Sequence, residues 1–440
     1  MHKLLAALAG ALMVFSLPLS ASELADSVKK DYDEHLGDLW DHFHRNPELS
    51  TVEIKTAARM AEELRRAGLE VTEGVGGTGV VALLRNGDGP LVMMRADMDG
   101  LPVREKSGLP NASVATQMSP LSGKEEPVMH ACGHDVHITS LVGSARQMAA
   151  RKDEWAGTLM LVVQPAEEVG AGAVSMREDG LWERFGKPDY ALGFHVSSAD
   201  TAGHINVIEG SPYAGADSVD IIIHGVGAHG ASPHRGKDPI VLGSQIVLAL
   251  QTLVSRELSP RSAGVVTVGA FHAGTKHNII SDRAHLQLTV RNTNPETREL
   301  LLDGIRRIAE NMGRAAGLPE NKLPEVIVDP AFAPPLVNTP QLARRLKVAW
   351  SEDIGADRVV SIPPDSMLAE DFPFFTINPD IPTVYWKIGG TPAADFEREA
   401  AGGEPVPSHH SPLFRISPEP SVRAGVESTV VALLNLMGDG

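Results

Sequence analysis

The spacing of apolar residues predicts alternating helices and strands over the first half of the chain. Residues 24–70 are predicted to be helical, because Leu36, Leu39 and Phe43 recur at helical spacing. Short apolar runs bounded by Gly, Asp or Pro predict strands, and a helical pattern lies among them. The strands are Gly79–Leu84, Leu91–Met94, Thr158–Val163 and Tyr190–Val196, and the helix is Ile138–Ala150. This alternation favours a layered α/β domain.

The pattern changes after about residue 215 and returns near residue 330. Between them the order strand, helix, strand, strand, helix is predicted, over Val219–His224, Pro239–Leu258, Gly264–Phe271, His285–Arg291 and Glu296–Ala316. That order resembles the split βαβ arrangement of ferredoxin-like α+β units. The later elements are predicted at Pro340–Asp353, Pro382–Ile388 and Ser421–Met437. We therefore predict an α/β domain over 22–214 and 330–440, interrupted by a smaller α+β domain over 215–329.

The N-terminus has the pattern of a secretory signal peptide. Lys3 supplies a positive charge, residues 4–17 are apolar or small, and Ser20, Ala21 and Ser22 offer a cleavage site. A retained anchor is the alternative, but the apolar run is shorter than the roughly 20 residues that span a bilayer. We expect residues 1–21 to be removed, the protein to be periplasmic or secreted, and no stable membrane anchor to remain.

Composition narrows the class of partner. A chain of 440 residues exceeds the size at which one core usually divides, which agrees with two domains. The formal net charge of -17 argues against nucleic-acid binding, which needs a basic surface. Cys132 is the only cysteine, so no internal disulfide can form, and it is either a small buried side chain or a metal ligand.

Four segments place acids, His or Cys beside predicted strand ends, where open α/β sheets have their active sites. They are Arg95–Pro102 (RADMDGLP), Met129–His137 (MHACGHDVH), Gln164–Glu168 (QPAEE) and Gly193–His195 (GFH). Taken singly, the acids of the first and third segments could cap turns or helices, and His195 could be structural. Three His, one Cys and one Asp within residues 130–137 instead indicate a metal site.

Together these segments resemble a family of dinuclear metallo-amidohydrolases that includes aminoacylases, hippurate hydrolases, auxin-conjugate hydrolases and related carboxypeptidases. The resemblance extends from about residue 30 to the C-terminus and also includes AHGASPH, HNIIS and HSPLF. It implies a metallopeptidase-like α/β catalytic domain in which the inserted α+β domain is a lid or dimerisation domain. It also implies two divalent ions per subunit, Zn or Mn, and a homodimer through the lid.

The resemblance assigns roles to individual residues. The implied metal ligands are Cys132, His134, Glu168, His195 and His410, with Cys132 bridging the ions; His410 is preferred to His409 because it directly precedes Ser-Pro-Leu-Phe. Glu167 is the implied catalytic base, and Asp99 orients a ligand or tunes the base. The implied substrate-binding residues are His229, Asn278 and Arg291. The strand of Arg291 continues as Asn292-Thr-Asn and departs from the Thr-rich family sequence.

These assignments predict a metal-dependent hydrolase that cleaves the amide bond of N-acyl amino acids or small peptides. One alternative is an exported aminopeptidase, which would need an acidic group for the substrate amine, whereas the lid Arg and His suit a carboxylate. The other is a non-catalytic binding protein for N-acyl amino acids, which would be expected to lack a ligand or the base. Every ligand position and the base are filled.

Overall fold

The computed structural model describes residues 21–438. The predicted signal peptide lies outside the described residues except for Ala21, where the first helix begins. The N-terminal region contains three helices, α1 (Ala21–Asp31), α2 (Gly37–Arg45) and α3 (Ile54–Arg66), with a π-helical turn joining the first two. A strand, β1 (Glu70–Val75), follows them.

The prediction of one continuous helix over 24–70 is therefore wrong. The chain leaves the helical conformation at Asn46, immediately before Pro47, because proline disfavours the helical conformation in the residue that precedes it. Thr51 then adopts a positive φ of 71°. The resulting turn carries Ser50 and Glu53 towards the carboxyl edge of the main sheet, where both side chains make hydrogen bonds.

The four strands and the helix that the sequence predicts before the insertion are present, together with further short elements that it does not predict. The strands are β2 (Gly79–Asn86), β3 (Leu91–Asp97), β4 (Thr116–Met118), β5 (Glu125–Pro127), β6 (Gly157–Gln164), β7 (Tyr190–Thr201), β8 (Ile205–Asn206) and β9 (Gly210–Tyr213). The helices are α4 (His134–Ala150), α5 (Gly172–Glu178) and α6 (Leu181–Phe185). β7 continues five residues beyond the predicted end at Val196.

The segment that we call the inserted unit, residues 215–329, forms a sheet of its own. Its elements are β10 (Gly215–His224), β11 (Ala228–His229), α7 (Pro239–Thr252), β12 (Gly264–Ala273), β13 (Ile279–Ile280), β14 (Arg283–Asn292), α8 (Pro295–Ala315) and β15 (Glu325–Val328). The four long strands pair antiparallel in the order β12-β14-β10-β15. This is the split βαβ topology, completed by β15, which the sequence analysis did not predict.

The chain then returns to the first domain. The last elements are β16 (Leu336–Asn338), α9 (Pro340–Trp350), β17 (Val359–Val360), α10 (Pro373–Thr376), β18 (Thr383–Thr391), α11 (Ala393–Ala400) and α12 (Pro418–Met437). β18 pairs parallel with β7 and thereby joins the C-terminal segment to the sheet that the first segment began.

The main sheet is mixed and has the order β1-β2-β6-β3-β7-β18-β8-β17. Its central strands β6, β3, β7 and β18 run parallel, so their carboxyl ends meet at one edge, which we call the carboxyl edge. One face packs against α4 and α12 around Trp350 and Trp386, and the other packs around Phe372 and Tyr385. The predicted α/β fold is confirmed, and the predicted chemistry lies at the carboxyl edge.

Candidate metal centre

The structure brings the five predicted ligands together at the carboxyl edge. Cys132 and His134 come from the turn into α4, Glu168 from the turn after β6, His195 from β7 and His410 from the loop before α12. Ligand atoms of Cys132, His134 and His195 lie within 4.8 Å of one another, and so do those of Cys132, Glu168 and His410. Cys132 is therefore the residue that the two triads share.

The His134 ring is oriented by the backbone. Its Nδ1–H donates to the carbonyl oxygen of Asp99 at 2.8 Å, which leaves Nε2 as the ligand atom. Such a bond from the distal nitrogen is typical of metal-binding histidines. Burial opposes protonation of His134, but Asp97 and Asp99 outweigh it and raise the pKa to about 10. The site around Nε2 is thus strongly negative.

His195 is held in the same way. Its Nδ1–H donates to the carbonyl oxygen of Val196 at 2.6 Å, and Nε2 lies 3.4 Å from Cys132 Sγ. Burial, reinforced by the neighbouring His137 and His409, lowers the pKa of His195 well below its usual value. The ring is therefore neutral, which is the form that binds metal.

The structure distinguishes His410 from His409. His409 Nε2 accepts a hydrogen bond from the Ser198 amide at 3.1 Å and is used structurally. His410 instead faces Glu168, with 3.4 Å between Nε2 and Oε2, and its φ of 65° is rare for a residue with a side chain. This left-handed turn aims consecutive histidines at different partners, and only His410 lies in a ligand triad.

Two ligand atoms at the centre have no hydrogen-bond partner in the described chain, and a bound cation would provide one. His134 Nε2 and Glu168 Oε1 are buried without a hydrogen bond, and they lie 3.9 Å apart. Burial raises the pKa of Glu168 to about 7 and that of the Cys132 thiol well above its usual value, with neighbouring acids adding to the effect at both. Imidazole, thiolate and carboxylate ligands in a surplus of negative charge fit divalent ions such as Zn²⁺.

Glu167 lies beside this centre but makes no side-chain hydrogen bond within the described chain. Its carboxylate is within 4.8 Å of ligand atoms of His134 and Glu168, and also of Glu370 and Asp371. Burial, followed by the negative charges of Glu370 and Asp371, raises the pKa of Glu167 well above its usual value. A carboxyl group with this environment can accept and return a proton.

Asp99 combines three contacts that order the centre. Its carbonyl oxygen fixes His134, and its carboxylate accepts hydrogen bonds from Ser50 Oγ at 2.6 Å and from the Glu168 amide at 3.1 Å. Asp99 thus connects the turn into α4, which carries His134, with the turn after β6, which carries Glu168. Its role in orienting a ligand or tuning the base stays a prediction.

A buried ionic network, not predicted from the sequence, lies behind Glu167. The guanidinium of Arg95 pairs with Asp97 at 2.8 Å, Glu370 at 2.8 Å and Asp371 at 3.2 Å. Gln164, the last residue of β6, donates from Nε2 to both oxygens of Asp371. The network therefore ties the end of β6, from which Glu167 projects, to the segment before α10.

Two further groups support the ligand loops. Glu53 accepts hydrogen bonds from the amide of Ala166 at 2.8 Å and from Thr78 Oγ1 at 2.6 Å. Ala166 has a φ of 51°, so Glu53 stabilises the strained turn that separates Gln164 from Glu167. His137 donates through Nδ1 to Asp97 and accepts at Nε2 from the Val196 amide, which leaves it no free nitrogen for a metal.

The predicted substrate residues lie in the inserted unit. His229 and Asn278 adjoin the β11–β13 pair, where the Gly230 amide donates to the Asn278 carbonyl oxygen at 2.8 Å, and both side chains are exposed. Arg291 is half-buried on β14, opposite Ala216 and Val265. In the described chain, neither hydrogen bonds nor ion pairs join these three side chains to the metal ligands. Their substrate roles remain predictions.

Comparison with known proteins agrees with this geometry. The model of peptidase family M20/M25/M40 matches residues 93–401, more than half of the chain. A hippurate hydrolase of Campylobacter jejuni is 38% identical over 333 residues, which cover 76% of this chain and 82% of that protein. The chain belongs to peptidase family M20/M25/M40. As a member of that family, it is a metal-dependent hydrolase of amide or peptide bonds.

Two other M20/M25/M40 relatives extend the comparison. An N-acetyl-L-cysteine deacetylase of Bacillus subtilis is 34% identical over 335 residues, 76% of either chain. A solved structure of a dinuclear metal-binding peptidase from the M20 family, also of Bacillus subtilis, is 27% identical with a TM-score of 0.75. That match covers 92% of this chain and 99% of the other. The family expected from the sequence motifs is confirmed.

A buried ion pair beside the metal centre makes the free energy of unfolding fall as the pH becomes alkaline. His44 Nδ1 lies 2.8 Å from Asp135 and Nε2 lies 3.4 Å from Glu105. Burial alone would lower the pKa of His44, but the hydrogen bond to Asp135 and the adjacent carboxylate of Glu105 outweigh it and raise the pKa to about 10. The charged ring therefore stabilises the fold fully below its unfolded pKa of about 6.5, and this contribution is lost as pH rises towards 10.

We predict that His44→Gln flattens the decline in the free energy of unfolding between about pH 6.5 and 10. Urea unfolding at several pH values measures this slope. His42→Gln, an exposed site on the same helix, should retain the wild-type decline. An unchanged slope in His44→Gln would show that the ion pair of His44 with Asp135 and Glu105 does not cause the decline in stability with pH.

Proposed function

We propose that this enzyme hydrolyses the amide bond of N-acyl amino acids or small peptides by means of two divalent ions, Zn or Mn. The observation that carries the proposal is the pair of ligand triads that share Cys132, with the Glu167 carboxylate beside them. The names of the hippurate hydrolase and the N-acetyl-L-cysteine deacetylase support this substrate class. So does the dinuclear metal-binding relative.

The residues that would hold the ions are Cys132, His134, Glu168, His195 and His410. Ions bound there supply Lewis-acid polarisation of the substrate carbonyl and lower the pKa of a water molecule. Asp99 and the Val196 carbonyl keep the two histidine rings in the tautomer that such binding needs. The protein thereby fixes the ligand geometry before the substrate arrives.

Glu167 acts as the base and then as the acid. It takes a proton from the water that attacks the amide carbon, and it delivers that proton to the nitrogen of the leaving amine as the C–N bond breaks. Burial, followed by the negative neighbours Glu370 and Asp371, raises the pKa of Glu167, which favours uptake of the proton from water. Its lack of a side-chain hydrogen bond within the described chain leaves the carboxylate available for them.

The inserted unit would complete the site as a lid. His229 would donate a hydrogen bond to the oxygen of the substrate carbonyl, and Asn278 and Arg291 would hold the substrate. His229 and Asn278 are exposed, and in the described chain neither makes a hydrogen bond or ion pair with a metal ligand, so closure over the metal centre would bring them to the substrate. Closure would also exclude water from the reacting amide.

We further propose a homodimer formed through the inserted unit. α7 has no charged residue, and its outward face exposes Val241 by 54% and Leu248 by 72%. With the π-helical turn that follows it, α7 forms a helix over Pro239–Glu257 that is long and apolar enough to cross a membrane, but Leu242, Ile246 and Leu250 are buried on the sheet. The edge strand β12 completes this surface. An uncharged face allows two copies of a strongly acidic chain to associate without local repulsion.

Export is also a proposal, and it rests on the N-terminal sequence. The apolar residues 4–17 after Lys3, with small residues at 20–22, favour translocation and cleavage at the start of the first described helix. Cys132 is the only cysteine, so no internal disulfide can form. A chain of this size does not need one to be stable in an oxidising compartment.

Replacing the base tests the proposed mechanism. Glu167→Gln preserves the shape of the side chain but cannot accept the proton, so kcat for hippurate should fall by roughly 100- to 10,000-fold. Metal content, measured by mass spectrometry of the purified protein, should stay at the wild-type level. Glu178→Gln, an exposed site on α5, serves as the control and should keep both. Wild-type turnover in Glu167→Gln would refute the base assignment.

Charge placed on α7 tests the dimer. Leu248→Glu should convert the protein to monomers in sedimentation velocity, because two carboxylates would be buried in the contact. Leu121→Glu introduces the same charge at an equally exposed leucine outside the inserted unit and should remain dimeric. A monomeric wild type, or a dimeric Leu248→Glu variant, would contradict the proposal.

The N-terminus can be tested in a Gram-negative host. Intact mass of the protein recovered from the periplasm should correspond to a chain that begins near residues 20–22. Leu12→Arg places a charge in the apolar run and should retain the precursor inside the cell. Full-length protein in the cytoplasm of wild-type cells would argue against export.

A further inference from the structure

Lys387 is a half-buried lysine beside the metal centre that the proposed mechanism does not use. It lies on β18 directly opposite the ligand His195 on the parallel strand β7. Neighbouring strands are about 4.8 Å apart, so the two residues are adjacent on the sheet. The alternate residues Trp386 and Ile388 point into the core on the far face, which puts Lys387 on the same face as Tyr385.

The ammonium group has no anionic partner. In the described part of the chain, Lys387 Nζ forms no ion pair within 4.0 Å and no hydrogen bond with another side chain. It lies 5.4 Å from the centroid of the Tyr213 ring. Burial lowers the pKa of Lys387, and Asp200 and Asp365 act in the opposite sense from beyond contact distance. Asp200 already accepts a hydrogen bond from Asn206.

Tyr213 connects this ammonium group to the metal centre. Its ring centroid lies 6.1 Å from that of His195 and 5.6 Å from that of Tyr385, so the phenol occupies the space between Lys387 and the ligands. A cation that is partly removed from water without a partner is costly, and a carboxylate that reached it would gain a charge-assisted hydrogen bond. Lys387 and Tyr213 therefore form a subsite with a preference for anions.

This subsite is distinct from the predicted substrate-binding residues of the inserted unit. Arg291, His229 and Asn278 belong to the inserted unit, whereas Lys387 belongs to the main sheet. A substrate whose α-carboxylate is held by the inserted unit leaves Lys387 free for another anionic group. The position of Lys387 next to His195 places that group close to the amide that is cleaved.

We propose that Lys387 binds a second carboxylate of the substrate, so that the enzyme prefers dianionic N-acyl amino acids or peptides to monoanionic ones. This inference rests on the proposed amide hydrolysis and adds the substrate class. The second carboxylate can belong to the amino acid, as in N-benzoylglutamate, or to the acyl group, as in N-succinylglycine. N-benzoylglycine carries only the α-carboxylate and serves as the monoanionic reference.

The experiment compares kcat/KM for these three substrates in the wild-type enzyme, Lys387→Met and Lys387→Arg. The wild type should favour at least one dianionic substrate over N-benzoylglycine. In Lys387→Met that ratio should fall by roughly 10- to 100-fold, the effect of losing one charge-assisted hydrogen bond. Lys387→Arg retains the charge and should retain most of the ratio. The dianionic substrate whose kcat/KM advantage is lost in Lys387→Met shows whether the second carboxylate belongs to the amino acid or to the acyl group.

Lys152→Met is the matched control, because it removes the same charge at an exposed position before the amino end of β6. It should keep the wild-type ratio. If Lys387→Met lowered kcat/KM by the same factor for all three substrates, or if the wild type showed no preference for either dianionic substrate, the inference would be overturned.

A binding measurement separates this inference from the proposed function. Calorimetry with glutarate and butyrate compares ligands with two carboxylates and one, without any turnover. Glutarate should bind the wild type more tightly than butyrate, and Lys387→Met should lose the difference. That result would support the subsite even if no N-acyl amino acid were cleaved, and equal affinities in the wild type would refute it.

Discussion

An excess of buried negative charge at the carboxyl edge of the sheet is the constraint on which the site depends. Asp97 ends β3 and Asp99 follows it, Glu167 and Glu168 follow β6, and Glu370 and Asp371 approach them from the segment before α10. Carboxylates removed from water are costly unless cations or hydrogen bonds compensate them. Arg95 pairs with three of the six. Asp99 accepts hydrogen bonds at Oδ2 from Ser50 and the Glu168 amide, whereas its Oδ1 is buried without a hydrogen bond in the described chain. Glu167 and Glu168 remain, and they face the ligand atoms of the proposed ions.

The backbone is distorted where it must bring the ligands together. In the described chain, positive φ values outside glycine occur at Thr51, Ala166 and His410. These residues lie in the segments that carry Ser50 and Glu53, Glu167 and Glu168, and His410 itself. Two buried carboxylates hold the turn at Ala166, because Glu53 accepts a hydrogen bond from the Ala166 amide and Asp99 accepts one from the Glu168 amide. Strain of this kind persists only where surrounding contacts stabilise it, and here it separates adjacent residues into different roles.

The fold class and the family could be predicted from the sequence, but the contacts that hold the site residues in place could not. Apolar spacing predicts the central strands because each is buried on both faces and flanked by turn residues. The break near Pro47 was missed because the apolar pattern of α2 and α3 continues in phase across a turn that tertiary contacts stabilise. The Arg95–Glu370 pair was missed because its partners are 275 residues apart and follow no period. The position of Lys387 next to the site was not predicted, because it depends on the pairing of β18 with β7, and these strands lie in different segments of the chain.

The proposed dinuclear centre requires the Cys132 sulfur to serve both metal sites, because it is the ligand atom that the two triads share. The direct test measures the metal content per chain by inductively coupled plasma mass spectrometry. The protein is first stripped with a chelator, then reloaded with metal and measured at increasing dilution. The wild type should bind two ions per chain, and Cys132→Ala should lose affinity for both together, because both triads contain that sulfur. A Cys132→Ala protein that still held one ion with wild-type affinity, or a wild type that bound only one, would contradict the account.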